Sequence, residues 1–389
     1  MLPDTIDITS YFQAYSQVDN SNLRPLTLFV GSTTANYSNQ TETRFTLSRD
    51  GYIVDVEGSG FVYDGGVPTG GTVWDITAIL GNAKAFTFSA ELPLSTFFIT
   101  SDPQALATTL FAKNDVINGY DLDDTLYGYD GDDIMGGGNG ADLMHGGDGD
   151  DQIGGGNGND KLYGDAGDDW LTGGKGNDKL FGGDGYDIAS FSDKLAPVVV
   201  NLGKGNTVKA KIGFGEVDKL KGIEGVWGGL GKDKITGNGA DNAIGGNSGD
   251  DVLKGKGGND LLVGSWGSDT LIGGKGADTF LFDTIPAGNS WRDVDLIKDF
   301  KAGKDTIAFD QETFAALEAG VLSADDFYAA PGALSGQNGQ HIVYDTKNGI
   351  LYYDPSGDGS DYVYQVAVLK GAPTIKASDF FIEAADLIG

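Results

Sequence analysis

The residues best placed to do chemistry in this chain are aspartates that return every ninth position. A first run holds Asp124, Asp133, Asp142, Asp151, Asp160, Asp169, Asp178 and Asp187. A second holds Asp233, Asp251, Asp260, Asp269 and Asp278, with Asn242 where Asp fails once. Carboxylates are hard oxygen donors, so rows of them offer cation binding. Other chemistries are poorly supplied. Cys is 0, which removes disulfides, Cys-ligated zinc, Fe–S clusters and thiol nucleophiles. His is 2, His145 and His341, too few for a His-based zinc enzyme. The formal net charge of −31 repels nucleic acid and anionic lipid headgroups and attracts cations. Nearly half of that excess falls in residues 114–190.

The aspartates belong to a longer pattern. Nine-residue units begin at 119, 128, 137, 146, 155, 164, 173 and 182, then again at 228, 237, 246, 255, 264 and 273. Asp is position six of each unit. Position eight is apolar: Leu126, Met135, Met144, Ile153, Leu162, Leu171, Leu180 and Ala189, then Ile235, Ile244, Leu253, Leu262, Leu271 and Phe280. Positions one, two and four are mostly Gly. The two blocks resemble the Gly-Gly-x-Gly-x-Asp-x-(apolar)-x repeat of RTX proteins, which form a calcium-bound parallel β-roll. Departures are few: Tyr120 and Leu122 in the first unit, Ala240 and Asn242 in the unit at 237, and the small Ala189.

Certain elements must place such residues. Gly at positions one, two and four permits backbone angles that other residues resist, so a turn can aim carbonyl oxygens at one point. Position eight then points inward on a short strand, and seven and nine point out. Two units make one coil. The carboxylates fall into two stacks per block, with Asp124, Asp142, Asp160 and Asp178 on one side and Asp133, Asp151, Asp169 and Asp187 on the other. An ion between stacked turns meets carboxylates and carbonyls only, an all-oxygen cage that suits Ca²⁺ better than Mg²⁺. Gaps between turns give about six sites in the first block and about four in the second, about ten Ca²⁺ in all. Without ions an acidic, Gly-rich chain is expected to be disordered. With them, binding energy becomes folding energy.

The chain divides into a β-rich N-terminal domain (1–113), the first β-roll block (114–190), an irregular segment (191–227), the second block (228–281) and a β-rich C-terminal cap (282–389). The fold class is mostly β, a parallel β-roll solenoid flanked by those two parts. In the N-terminal part, residues 44–48, 52–57, 72–78 and 85–89 read as strands. Ser101-Asp102-Pro103-Gln104 starts a helix over 105–113. In 191–227 phase is lost. Residues 197–202 read as a strand, Glu224 and Val226 fall on the second block's phase, and no ion site is expected. In the C-terminal part, residues 293–300 and 305–309 resemble the closing segment that follows RTX repeats. Ser323–Phe327 reads as a helix start, and residues 341–345, 349–353 and 362–369 as a meander. Asp354-Pro355-Ser356-Gly357-Asp358-Gly359 resembles the start of an EF-hand loop, but Gln365 stands where the closing Glu belongs and a turn between strands is favoured.

The RTX resemblance implies secretion from a Gram-negative bacterium by a type I system that reads an uncleaved C-terminal signal, here Lys376–Ile382 and the tail beyond. Met1–Thr5 opens no Sec-type signal, and no run approaches the ~20 apolar residues of a membrane span. Extracellular calcium modules bind at about 10⁻⁴–10⁻³ M, so folding would wait until the chain is outside. A structural or adhesive role on a surface or matrix is the leading expectation, and no catalytic residue is assigned. The alternative is a secreted enzyme with its catalytic part in 1–113. No His-Glu-x-x-His or lipase-type Gly-x-Ser-x-Gly stands in the chain, and the strand neighbours Asp55 and Glu57 read as solvated surface. A pore-former would need long amphipathic helices, and none is found. His145 at position nine reads as surface. Outward Tyr127, Tyr163 and Phe181 at position nine, with Trp170 at position seven, read as exposed strand residues or as a glycan-stacking or domain-docking face. The partners expected beside calcium and the export machinery are cell-surface glycans or further copies of the chain by self-assembly.

Overall fold

The computed structural model describes residues 114–119, 123–203, 207–213, 215–285 and 294–384 in full. It also gives the backbone of the strands Ile6–Asp7, Thr27–Leu28, Asn36–Ser38, Arg44–Arg49, Tyr52–Asp64, Val67–Leu80 and Ala83–Pro93. The helix expected over 105–113 and the tail after 384 lie outside the described residues. The chain forms two compact units, 1–187 with 218–222, and 188–217 with 223–389.

In the first unit the strands expected near the N-terminus are present and longer than their sequence signal. Arg44–Arg49, Tyr52–Asp64, Val67–Leu80 and Ala83–Pro93 pair antiparallel in chain order. Ala83–Pro93 then pairs antiparallel with Val116–Asn118. From that strand onward the pairing is parallel. One sheet stacks Val116–Asn118, Ile134–Asn139, Gln152–Asn157 and Trp170–Lys175. The other stacks Thr125–Asp130, Leu143–Asp148, Lys161–Ala166 and Lys179–Asp184, then residues 219–221. Side chains alternate in and out along each strand, so the apolar residue of every unit is buried. Ile117, Met135, Ile153 and Leu171 line one inner wall, and Leu126, Met144, Leu162, Leu180 and Leu220 the other.

The second unit repeats the arrangement and carries it past the repeats. Ile188–Ser190, Gly225–Trp227, Ala243–Gly245, Leu261–Val263, Thr279–Phe282, Thr306–Asp310 and Phe380–Glu383 pair parallel in succession. Facing them run Val198–Asn201, Lys234–Thr236, Val252–Gly257, Thr270–Lys275, Asp295–Ile297 and Tyr364–Leu369. Val226 sits in register with Ile244, as its phase implied. Pairing then turns antiparallel from Tyr364–Leu369 to Ile350–Tyr353 and on to Ile342–Asp345, the expected meander.

Two expectations change. The helix start at Ser323 yields a single 3-10 turn, Ala324–Asp326, because the chain passes at once into the strand Phe327–Ala330. Ser323 Oγ does accept the N–H of Asp325, so the cap is real and the helix is not. The segment 191–227 is not merely a bulged coil: Val198–Asn201 forms an antiparallel contact with Val208–Ile212. Residues 376–382, read as part of an export signal, fold into a 3-10 turn and the strand Phe380–Glu383, with Phe380 and Ile382 buried.

Candidate metal centre

Glycine serves the turns in two ways. At position four the backbone has positive φ, as at Gly149 (135°) and Gly176 (136°), a region that L side chains rarely adopt. Position two also has positive φ, as at Gly147 (122°), yet Ser265 (62°) and Lys256 (84°) occupy it without glycine. Position one needs glycine for space. A Cβ on Gly146 would overlap Oδ2 of Asp151 in its own unit and lie 2.7 Å from the carbonyl oxygen of Gly164 one coil on. The same pair of oxygens flanks Gly155, from Asp160 and Gly173. The open side of Gly146 and of Gly155 is therefore lined by one carboxylate and one peptide oxygen.

The position-six aspartates stack in columns joined by hydrogen bonds. In the first unit Asp115 N–H donates to Asp133 Oδ1 (2.7 Å), Asp133 to Asp151 (2.8 Å), Asp151 to Asp169 (2.9 Å) and Asp169 to Asp187 (3.1 Å). The second column runs from Asp124 to Asp142 (2.7 Å), Asp160 (2.8 Å), Asp178 (2.8 Å) and Asp218 (2.8 Å). In the second unit Asp233 donates to Asp251 (2.6 Å), Asp251 to Asp269 (2.7 Å) and Asp269 to Asp295 (2.9 Å). Beside it Asn242 donates to Asp260 (3.0 Å), Asp260 to Asp278 (3.2 Å) and Asp278 to Asp305 (3.3 Å). All thirteen aspartates singled out in the sequence are buried.

The second carboxylate oxygen distinguishes the rungs. Oδ2 of Asp133, Asp142, Asp151, Asp160, Asp169, Asp251, Asp260, Asp269 and Asp278 is buried and takes no hydrogen bond. A buried carboxylate oxygen in that state costs free energy unless a cation or proton meets it. Burial, reinforced by neighbouring carboxylates, pushes these groups up: Asp133 and Asp160 to about 6, Asp151 to about 7 and Asp251 to about 8. Asp233 is different. Its Oδ1 accepts Val198 N–H at 2.8 Å and its Oδ2 accepts Gly229 N–H at 2.6 Å, so both oxygens are closed by the protein. Asn242 is closed likewise, accepting Asn238 N–H and donating to the Glu224 carbonyl, each at 2.8 Å.

The open rungs fit a hard cation. Each turn offers one carboxylate oxygen beside peptide oxygens, the donor set of Ca²⁺. Among the described residues no three His, Asp or Glu side chains converge on one point, so no side-chain cluster of the zinc kind is present. The Asp354 loop is a turn. Asp354 Oδ1 accepts Ser356 Oγ–H (2.8 Å) and Gly357 N–H (3.0 Å), and Oδ2 accepts Gly336 N–H (2.9 Å).

Four column members escaped the sequence reading: Asp115, Asp218, Asp295 and Asp305. Asp218 places a rung of the column inside 191–227. The available signal was the triplet Asp-x-apolar without its glycines, as in Asp115-Val116-Ile117 and Asp218-Lys219-Leu220. The outward aromatics of the first unit are stacked. Ring centroids lie 5.2 Å apart for Tyr127–His145, 4.4 Å for His145–Tyr163 and 4.5 Å for Tyr163–Phe181. His145 Nδ1 also lies 2.8 Å from Asp165 Oδ2. The ring faces are turned to one another, so the row presents edges outward.

A family-model match agrees with this geometry. A family model described as the RTX calcium-binding nonapeptide repeat matches residues 111–144, 118–153, 137–162, 154–189, 226–253 and 245–280. Among solved structures, the extracellular lipase LipA from Serratia marcescens is similar at 21% identity and a TM-score of 0.23. The likeness covers 62% of this chain and 40% of the lipase. No curated protein matches.

Proposed function

We propose, from the premise that this chain is a calcium-binding RTX-repeat protein, that it is exported from a Gram-negative cell by a type I system and folds outside on calcium to serve a structural or adhesive role. The observation that carries the reading is the row of nine buried Oδ2 atoms without hydrogen-bond partners, from Asp133 to Asp169 and from Asp251 to Asp278. Such a column is strained without cations and stabilised with them, so calcium concentration decides whether the roll exists. Low cytosolic calcium would leave the chain threadable for export. The surface role draws on the repetitive outer face of the first unit. Lys161, Lys179 and Lys219 stand in register there, beside the stacked row from Tyr127 to Phe181. A face repeating at the strand spacing suits contact with a repetitive surface or with another copy. We assign no catalytic step to the repeat units.

Sedimentation velocity of the full chain in chelator, then in millimolar calcium, tests this. An extended species that becomes compact supports calcium-driven folding, and growth into large assemblies supports the surface role. An unchanged coefficient sinks the reading. A compact monomer would remove self-assembly and leave binding to a foreign surface.

A further inference from the structure

We propose that Asp295, which lies beyond the last repeat, is a cation ligand together with Asp269, and that this pair holds the tightest calcium ion of the second unit. The proposal rests on the calcium reading above and adds a residue outside the repeats, because the family match ends at residue 280.

Asp295 joins its column as a repeat aspartate would. Asp269 N–H donates to its Oδ1 at 2.9 Å, although the two stand 26 residues apart rather than the usual 18. Leu296 N–H donates to the Asp269 carbonyl at 2.7 Å, and Leu296 and Ile297 pair in register with Thr270 and Leu271. The difference lies at the second oxygen. One coil earlier, the space beside Gly246 is bounded by Asp251 Oδ2 and by the carbonyl oxygen of Gly264. Beside Gly264 no further repeat glycine follows. The atoms nearest to where a Cβ would stand are Asp269 Oδ2 at 2.5 Å and Asp295 Oδ2 at 3.0 Å. Two carboxylates replace one carboxylate and one peptide oxygen.

Both groups are buried, Asp269 at 1% and Asp295 at 5% exposure, and Asp269 Oδ2 takes no hydrogen bond. Two buried like charges in contact need a shared cation or proton. Calcium affinity rises with the number of charged ligands, so this site exceeds the one beside Gly246, where a single carboxylate meets a peptide oxygen. Asp305 ends the neighbouring column and supplies the contrast. Its Oδ2 accepts Lys301 N–H at 2.8 Å, so it closes its column without an open oxygen.

The test is calcium titration of the full-length chain against a competing fluorescent chelator, for wild type, D295N and D305N. D295N is expected to weaken the tightest class by roughly tenfold or more, and D305N to leave it in place. Equal changes in the two variants, or none in D295N, overturn the proposal. Should D295N fail to fold at any calcium level, G264A decides. It keeps both carboxylates and only occupies the space between them, so an unchanged tight class in G264A also overturns the proposal. A wild-type chain that binds no calcium overturns the RTX reading itself, a result distinct from either variant outcome.

Discussion

Two aspartates with the same place in the repeat have opposite chemistry. Asp151 keeps an oxygen open, and Asp233 has both oxygens closed by N–H groups. D151N should therefore lower calcium affinity, whereas D233N should leave the number of bound ions unchanged. D233N should instead cost about 1–3 kcal/mol of stability in saturating calcium, since an amide cannot accept at both positions. Isothermal calorimetry separates the two effects. Loss of an ion in D233N would show that Gly229 yields its place to calcium. Position-one glycine is equally exposed to test. G155A puts a methyl against Asp160 and the carbonyl of Gly173, and overpacking of that kind costs about 1–3 kcal/mol. Denaturant unfolding in calcium should register the shift.

At the scale of the turn column, protons and calcium compete for the same oxygens. The folded pKa values of Asp133, Asp151, Asp160 and Asp251 are raised above the ordinary carboxylate value, mainly by burial. A raised value means that the column is favoured below the unfolded pKa and loses that support as pH climbs through about 6 to 8. In chelator the roll should gain structure on acidification from neutral pH, and in calcium its affinity for the ion should fall. Circular dichroism in chelator across that range checks the sign, and a roll that melts on acidification would refute it. The aromatic row is a second element-scale feature. Y163A removes two stacked contacts and should cost about 1–3 kcal/mol beyond the area lost. Much of this was legible in sequence. Asp124 to Asp187 and the apolar residues two places later fall in columns because a fixed spacing repeats a fixed turn. Asp218, Asp295 and Asp305 were harder to find, since the chain between rungs lengthens to 40, 26 and 27 residues. The rung needs only an N–H and a carboxylate to meet, and loop length does not constrain that.

Across the molecule the two units depend on ions unequally. In the second, closed Asp233 and Asn242 and the half-buried Lys194–Glu216 pair stabilise coils without cations. Hydrogen exchange in chelator should therefore find residues 234–245 better protected than residues 125–184, and equal protection would contradict that difference. The columns also say how such a chain can change through descent. Neighbouring rungs in the repeats stand 18 residues apart, two nonapeptides, and successive units feed opposite sheets. Duplication or loss of a pair of nonapeptides leaves every later carboxylate in its column and every later strand on its face. A single nonapeptide gained or lost would send all later strands of that unit to the opposite sheet, exchanging the lysine-bearing face for the other. Inheritance of this architecture is thus counted in pairs.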